Sequence, residues 1–146
     1  MTYMNKYVER YAIKKLSILK ENGFSIPTAK REKWSTTVSC LSSDIAIEIE
    51  LDWRELDVYV LVTALSDGSL PGGYYISGGK KCRIHLESIL KDEFGVSDAD
   101  IQKYLKKQPA RAEKTEATMI SRLDHYVQLL RQHISIIMEY GLRLFE

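Results

Sequence analysis

The chain has 146 residues, 45% hydrophobic and 28% charged, with 21 basic against 20 acidic side chains and a net charge of +1. That is one domain's worth of sequence with enough apolar residues for a core, which argues against disorder and against a uniformly basic or acidic binder. No run approaches 18 uninterrupted apolar residues and no apolar stretch near the N-terminus suits a signal peptide, so a cytoplasmic protein without membrane contact is expected.

Asn5 to Gly23 reads as an amphipathic helix. Met4, Val8, Tyr11, Ala12, Leu16 and Leu19 recur at three- and four-residue steps, and Asn22-Gly23 supplies a stop. Beyond Pro27 the period falls from 3.6 to 2. Trp34, Thr36, Val38 and Cys40 share one face of a first strand. Ile45, Ile47, Ile49, Leu51 and Trp53 then alternate with Asp44, Ala46, Glu48, Glu50 and Asp52, the pattern of a half-buried antiparallel strand. Val58, Val60, Val62 and Ala64 form the inner face of the next strand, and the short connections predict a meander.

Ser66 to Gly79 reads as a loop with a short fourth strand near Tyr74-Tyr75-Ile76. Ile84 to Phe94 reads as a helix closed by Gly95, and Ser97 caps a short helix running to Lys107 before Pro109. A long helix is expected from about Glu113 to Leu144. Its seam of Ile120, Leu123, Val127, Leu130, Ile134 and Ile137 fits either the domain's own core or a homodimer. The expected fold is one α+β domain over residues 1–146. In it an antiparallel three- to four-stranded meander is packed on one face by the N-terminal helix and the C-terminal helices, with solvent or a partner on the other.

Chemical motifs are sparse. Cys40 and Cys82 lack metal-ligand spacing and read as free buried thiols. His85, His125 and His133 form no metal motif, and Asp124-His125 diverge as helix neighbours. The segment Gly72 to Lys81 misses the phosphate-loop pattern, with Tyr74 at the first glycine site and Lys81 at the hydroxyl site. Lys80, Lys81 and Arg83 sit where a helix is expected to begin, a position unfavourable for cations. No catalytic residue, metal or cofactor is assigned.

Charge is unevenly distributed. Between Asp44 and Asp57 lie six acids and one base, a local charge of −5, while the remainder carries +6. The acidic face built from Glu48, Glu50, Asp52 and Asp57, with Tyr59 on the next strand, suits docking to a basic protein. The basic cluster Lys103, Lys106, Lys107, Arg111 and Lys114 supports an alternative, association with nucleic acid. A third option is a small enzyme built on the acidic face and the glycine-rich loop.

The stretch Ile45 to Val60, an acidic strand followed by Asp52-Trp53-Arg54 and a valine-rich strand, together with Gly23-Phe24 after the first helix, resembles small bacterial immunity proteins encoded beside polymorphic toxins. The resemblance covers about residues 5 to 90. It implies a non-enzymatic cytoplasmic antitoxin that occludes a cognate toxin, which could be a basic nuclease.

Overall fold

The computed structural model describes residues 2–105 and 114–146. Helix α1 (Tyr3–Leu16) runs into a 3-10 turn, Ser17–Asn22. Strands β1 (Thr28–Arg31), β2 (Ser35–Leu41), β3 (Ile45–Asp52) and β4 (Asp57–Ala64) follow. A small hairpin, β5 (Ile76–Ser77) and β6 (Lys80–Lys81), precedes β7 (Arg83–His85). Helices α2 (Leu86–Asp92), α3 (Asp98–Leu105) and α4 (Glu116–Tyr140) and a 3-10 turn, Gly141–Phe145, complete the order. The expected α+β class holds, with α1 and α4 on one face of an antiparallel sheet ordered β1-β2-β3-β4-β7.

Period-2 alternation decides which side chains meet the helices. Val38, Ile49 and Val60 lie in register across the three central strands, as do Cys40, Ile47 and Val62. Each is at most 3% exposed and joins Val8, Ala12 and Leu16 of α1 and Leu123, Leu130 and Ile137 of α4 in one core. The heptad seam of α4 is therefore used inside the domain, where Leu123, Val127, Leu130, Ile134 and Ile137 are buried and Ile120 packs against them. A homodimer through that seam would have to compete with the protein's own core.

Two helix ends follow from chemistry read in the sequence, and a third was not expected. Gly23 takes φ +90 and ends the first helical segment. Ser97 caps α3 through a 3.1 Å bond from the Asp100 amide. Thr115 and Thr118 form a reciprocal cap on α4.

The departures are equally physical. The sheet has five strands: β1 was not expected, and β7 occupies the place assigned to the start of a helix. That helix begins only at Leu86, which removes the conflict between its N-terminus and Lys80, Lys81 and Arg83. Met4 is exposed and Trp34 is 53% exposed at the β1–β2 turn, against the core positions expected for both. Lys33 and Arg54 instead stand 5.3 and 5.4 Å from the Trp34 ring. Glu9 is buried on α1, where Arg31 on the helix-facing side of edge strand β1 grips its carboxylate at 2.7–3.0 Å. Pro109 and Glu113 lie outside the described residues.

Ile49 sits at the centre of this core with no exposed surface. Replacing it with alanine is expected to lower stability by about 2–5 kcal/mol, because the surrounding strands and helices cannot collapse fully into the space. Urea unfolding of the two proteins measures the difference.

Candidate functional site

The outer face of the sheet carries two cross-strand rows. One runs Lys30, Thr37, Glu50 and Tyr59, the other Ser39, Glu48, Leu61 and His85. This face is not left open to solvent, as an exposed acidic strand would be. Residues 66–82, here called the strap, fold back across it before the chain enters β7.

Glu48 fixes the strap. It is 3% exposed, and its Oε1 accepts a 2.6 Å bond from Arg83 Nε and a short bond from the Thr63 hydroxyl. Its Oε2 accepts from Ser39 Oγ at 3.3 Å. Thr63 is the diagonal neighbour of Glu48 on β4 and lies in register with Arg83 on β7, so the sheet itself delivers these partners. Arg83 Nη1 then donates to the carbonyls of Gly73 at 2.6 Å and Tyr74 at 2.9 Å. The Cys82 thiol donates to the Tyr74 carbonyl at 3.0 Å. Gly73 is obligatory here, since a Cβ would stand 1.8 Å from the Ile76 carbonyl oxygen.

Beyond this latch the strap presents aromatic rings. Tyr74 donates its hydroxyl to Glu50 Oε2 at 2.5 Å, and its ring lies edge-on to Tyr75, 4.5 Å between centroids. The Tyr75 hydroxyl lies 2.8 Å from His85 Nε2, and His85 lies edge-on to Tyr59 at 6.0 Å. Glu50, Tyr74, Tyr75, His85 and Tyr59 thus form one continuous surface. Tyr75 is 47% and Ile76 63% exposed, with Leu70 and Tyr74 also outward. Between strap and strands lies an open cleft of about 250 Å³, edged by Lys30, Glu32, Thr37, Glu50 and Gly72.

The five residues expected at a docking surface divide accordingly. Glu50, Asp52 and Tyr59 are half-exposed, and Glu48 and Asp57 are buried. Asp52 Oδ1 accepts the amides of Arg54 and Glu55, both at 3.0 Å, shaping the β3–β4 turn. Asp57 is held by Lys114 and by Arg122 of α4, each at 3.2 Å. The −5 of the strand pair is therefore largely met from within the molecule: Arg83, Lys114 and Arg122 bring three cations to two of its six acids. The sequence signal for this was Arg83, a cation closing the glycine-rich segment opposite an acid with no nearby base.

Of the basic cluster, Lys106, Lys107 and Arg111 lie outside the described residues, Lys103 stands in α3, and Lys114 is engaged by Asp57. Among the described residues no three His, Cys, Asp or Glu side chains converge as a metal-binding group, and no helix is long and apolar enough to cross a membrane. Cys40 and Cys82 are free and buried, and burial pushes the Cys40 thiol up to about 12. No protein-family model, no curated protein and no solved structure matches the chain, so the fold and this surface define only an α+β protein with a strapped sheet face.

Two outcomes test how the strap is held. Arg83→Met leaves Glu48 buried without its cation, and a loss of about 3–5 kcal/mol is expected in urea, whereas Glu48→Gln with Arg83→Met recovers part of it. The Tyr74 phenol is raised well above its ordinary range by burial first and then by the Glu50 carboxylate. The folded protein therefore holds this proton more tightly than the unfolded chain, so stability present below pH 10 is lost as the pH climbs past it. An absorbance titration should show Tyr74 ionising closer to the ordinary value in Glu50→Gln.

Proposed function

We propose that the chain is a non-enzymatic, cytoplasmic protein-binding module, most concretely an immunity protein that neutralises a co-encoded toxin by direct contact. The observation that carries this reading is the strap, a segment latched to the sheet that holds Leu70, Tyr74, Tyr75 and Ile76 outward beside Glu50. Exposed tyrosines on an ordered backbone suit an interface. They bury large area at small entropic cost, and aromatic anchors dominate measured binding energies.

Electrostatics supports a basic partner. Glu32, Asp44 and Glu55 are exposed around the sheet's outer face and its turns, and Glu50 and Asp52 are half-exposed. Acids at the rim of an aromatic patch steer a cationic surface towards it and raise the association rate. In this reading Tyr59, Glu50 and Asp52 contact the toxin together with the strap. Glu48 and Asp57 act behind the surface, by holding the strap and α4.

Glu50→Lys and Tyr75→Ala leave the buried core intact, and urea unfolding of each checks that losing its bond to Tyr74 or His85 does not unfold the domain. Each is expected to weaken the complex with the toxin encoded by the neighbouring gene by about tenfold or more, in direct binding and in rescue of growth. Wild-type affinity in the double variant would refute the strap as the docking surface. Failure of the unaltered chain to bind or to rescue would reject the immunity reading itself.

A further inference from the structure

Strand β1 ends the sheet, with β2 on one side and no strand on the other. The Trp53 amide donates to the Trp34 carbonyl at 2.9 Å, and the Glu32 amide to the Ser35 carbonyl at 2.8 Å. Ladder bonds of an antiparallel pair alternate, so the even residues of β2 bond to β3 and its odd residues to Thr28, Lys30 and Glu32. The N–H and C=O groups of Ala29 and Arg31 therefore point away from β2, along the open edge. Among the described residues no other element bonds to these four groups, and Thr28–Arg31 are all exposed. Glu9 grips the Arg31 side chain at 2.7–3.0 Å, so the strand that carries them is tied to α1 before anything binds.

Charge selects the occupant. Residues 1–33 hold eight bases and three acids, a local +5, and Arg31 takes one of those acids, Glu9. Lys30 stands on the outer side of the edge, and Lys6 lies one turn before Glu9 on α1. Both are exposed and in no ion pair among the described residues. A second copy fits worse. Bonding through Ala29 and Arg31 allows a two-fold axis at residue 29, 30 or 31. The first sets Pro27, which has no N–H, against Arg31. The second sets Lys30 against Lys30, and the third pairs Lys30 with Glu32 but sets Arg31 against Arg31. All three bring two segments of +5 together. An edge lysine that repels a like strand admits one carrying an acid.

We infer that the free edge of β1 binds an extended acidic segment of another protein, which adds as an antiparallel strand with its acid opposite Lys30. Lys30 falls at a non-hydrogen-bonded pair of that new ladder, where Cα atoms approach to about 4.5 Å and side chains meet. The backbone groups of Ala29 and Arg31 supply the affinity, and Lys30 sets the sign of the partner. The strap's outward tyrosines take no part, so this surface stands apart from the immunity reading.

The probe is the peptide acetyl-Thr-Val-Glu-Val-Thr-amide, titrated into the full chain and followed by amide NMR. Saturable shifts centred on residues 28–32 and slower hydrogen exchange at the Ala29 and Arg31 amides are expected. Lysine in place of the peptide's glutamate should weaken binding about fivefold, and Lys30→Glu should reverse that preference. Methylating both valine nitrogens removes the peptide's donors, keeps its charge and should abolish binding. Ala29→Pro removes an edge donor that β2 does not use, so it should weaken binding about tenfold with the urea midpoint little changed. Absence of saturable shifts, equal binding of the methylated peptide, or a charge preference that Lys30→Glu leaves unreversed would overturn the assignment. Dimerisation of the unliganded chain that Ala29→Pro abolishes would give the edge to a second copy and overturn it as well.

Discussion

The ion pair between Glu48 and Arg83 is the interaction on which the outer half of the molecule depends. A carboxylate in the middle of a central strand, under a covering segment, carries a desolvation cost that only a well-placed cation and hydroxyls can offset. The sheet supplies them: Thr63 and Ser39 come from the flanking strands, and Arg83 from the short β7 that would otherwise have little to hold it. Once Arg83 is fixed there, its second nitrogen finds the carbonyls of Gly73 and Tyr74, and the strap has a defined path. Such a pair contributes modestly to net stability. Its larger effect is on which of many loop conformations the strap adopts.

The same constraint redistributes charge. The strand pair from Asp44 to Asp57 concentrates acid, and the fold answers it with Arg83 at one end and Lys114 and Arg122 at the other. What reaches the surface is less an acidic sheet than an aromatic one with acids around it. On the opposite face the arrangement recurs in smaller form: Glu9 of α1 is buried and answered by Arg31 of edge strand β1. In both places a buried carboxylate ties a marginal strand to the body of the domain, and the marginal strands are those with three or four residues.

What the sequence made legible was periodicity. β3 and β4 alternate without interruption, and the seam of α4 repeats over several turns, so the inner layer and its core could be read directly. β7 and β1 could not. Three residues give no period, and Thr28 to Arg31 are all exposed, so no apolar alternation marks them. Trp34 satisfied the alternation yet lies beyond the strand's end, where the turn turns it outward. The burial of Glu48 was invisible for a related reason. An acid on the polar parity of a strand reads as solvated, and its cover comes from a segment with no period at all. Only the cation after the glycines, without an assigned partner, pointed towards it.

The outward tyrosines and the small hairpin share one segment of chain. Tyr74 and Tyr75 stand at the middle of the strap, and Lys80 and Lys81 near its end. Between them the Cys82 amide donates to the Tyr75 carbonyl at 2.8 Å, and Ile76 pairs with Lys81 across the hairpin. A partner seated on the tyrosines therefore also bears on the hairpin, through a path that is short both covalently and in hydrogen bonds. The tyrosine end of that path is the one fixed to the sheet, by Arg83 on the carbonyls of Gly73 and Tyr74.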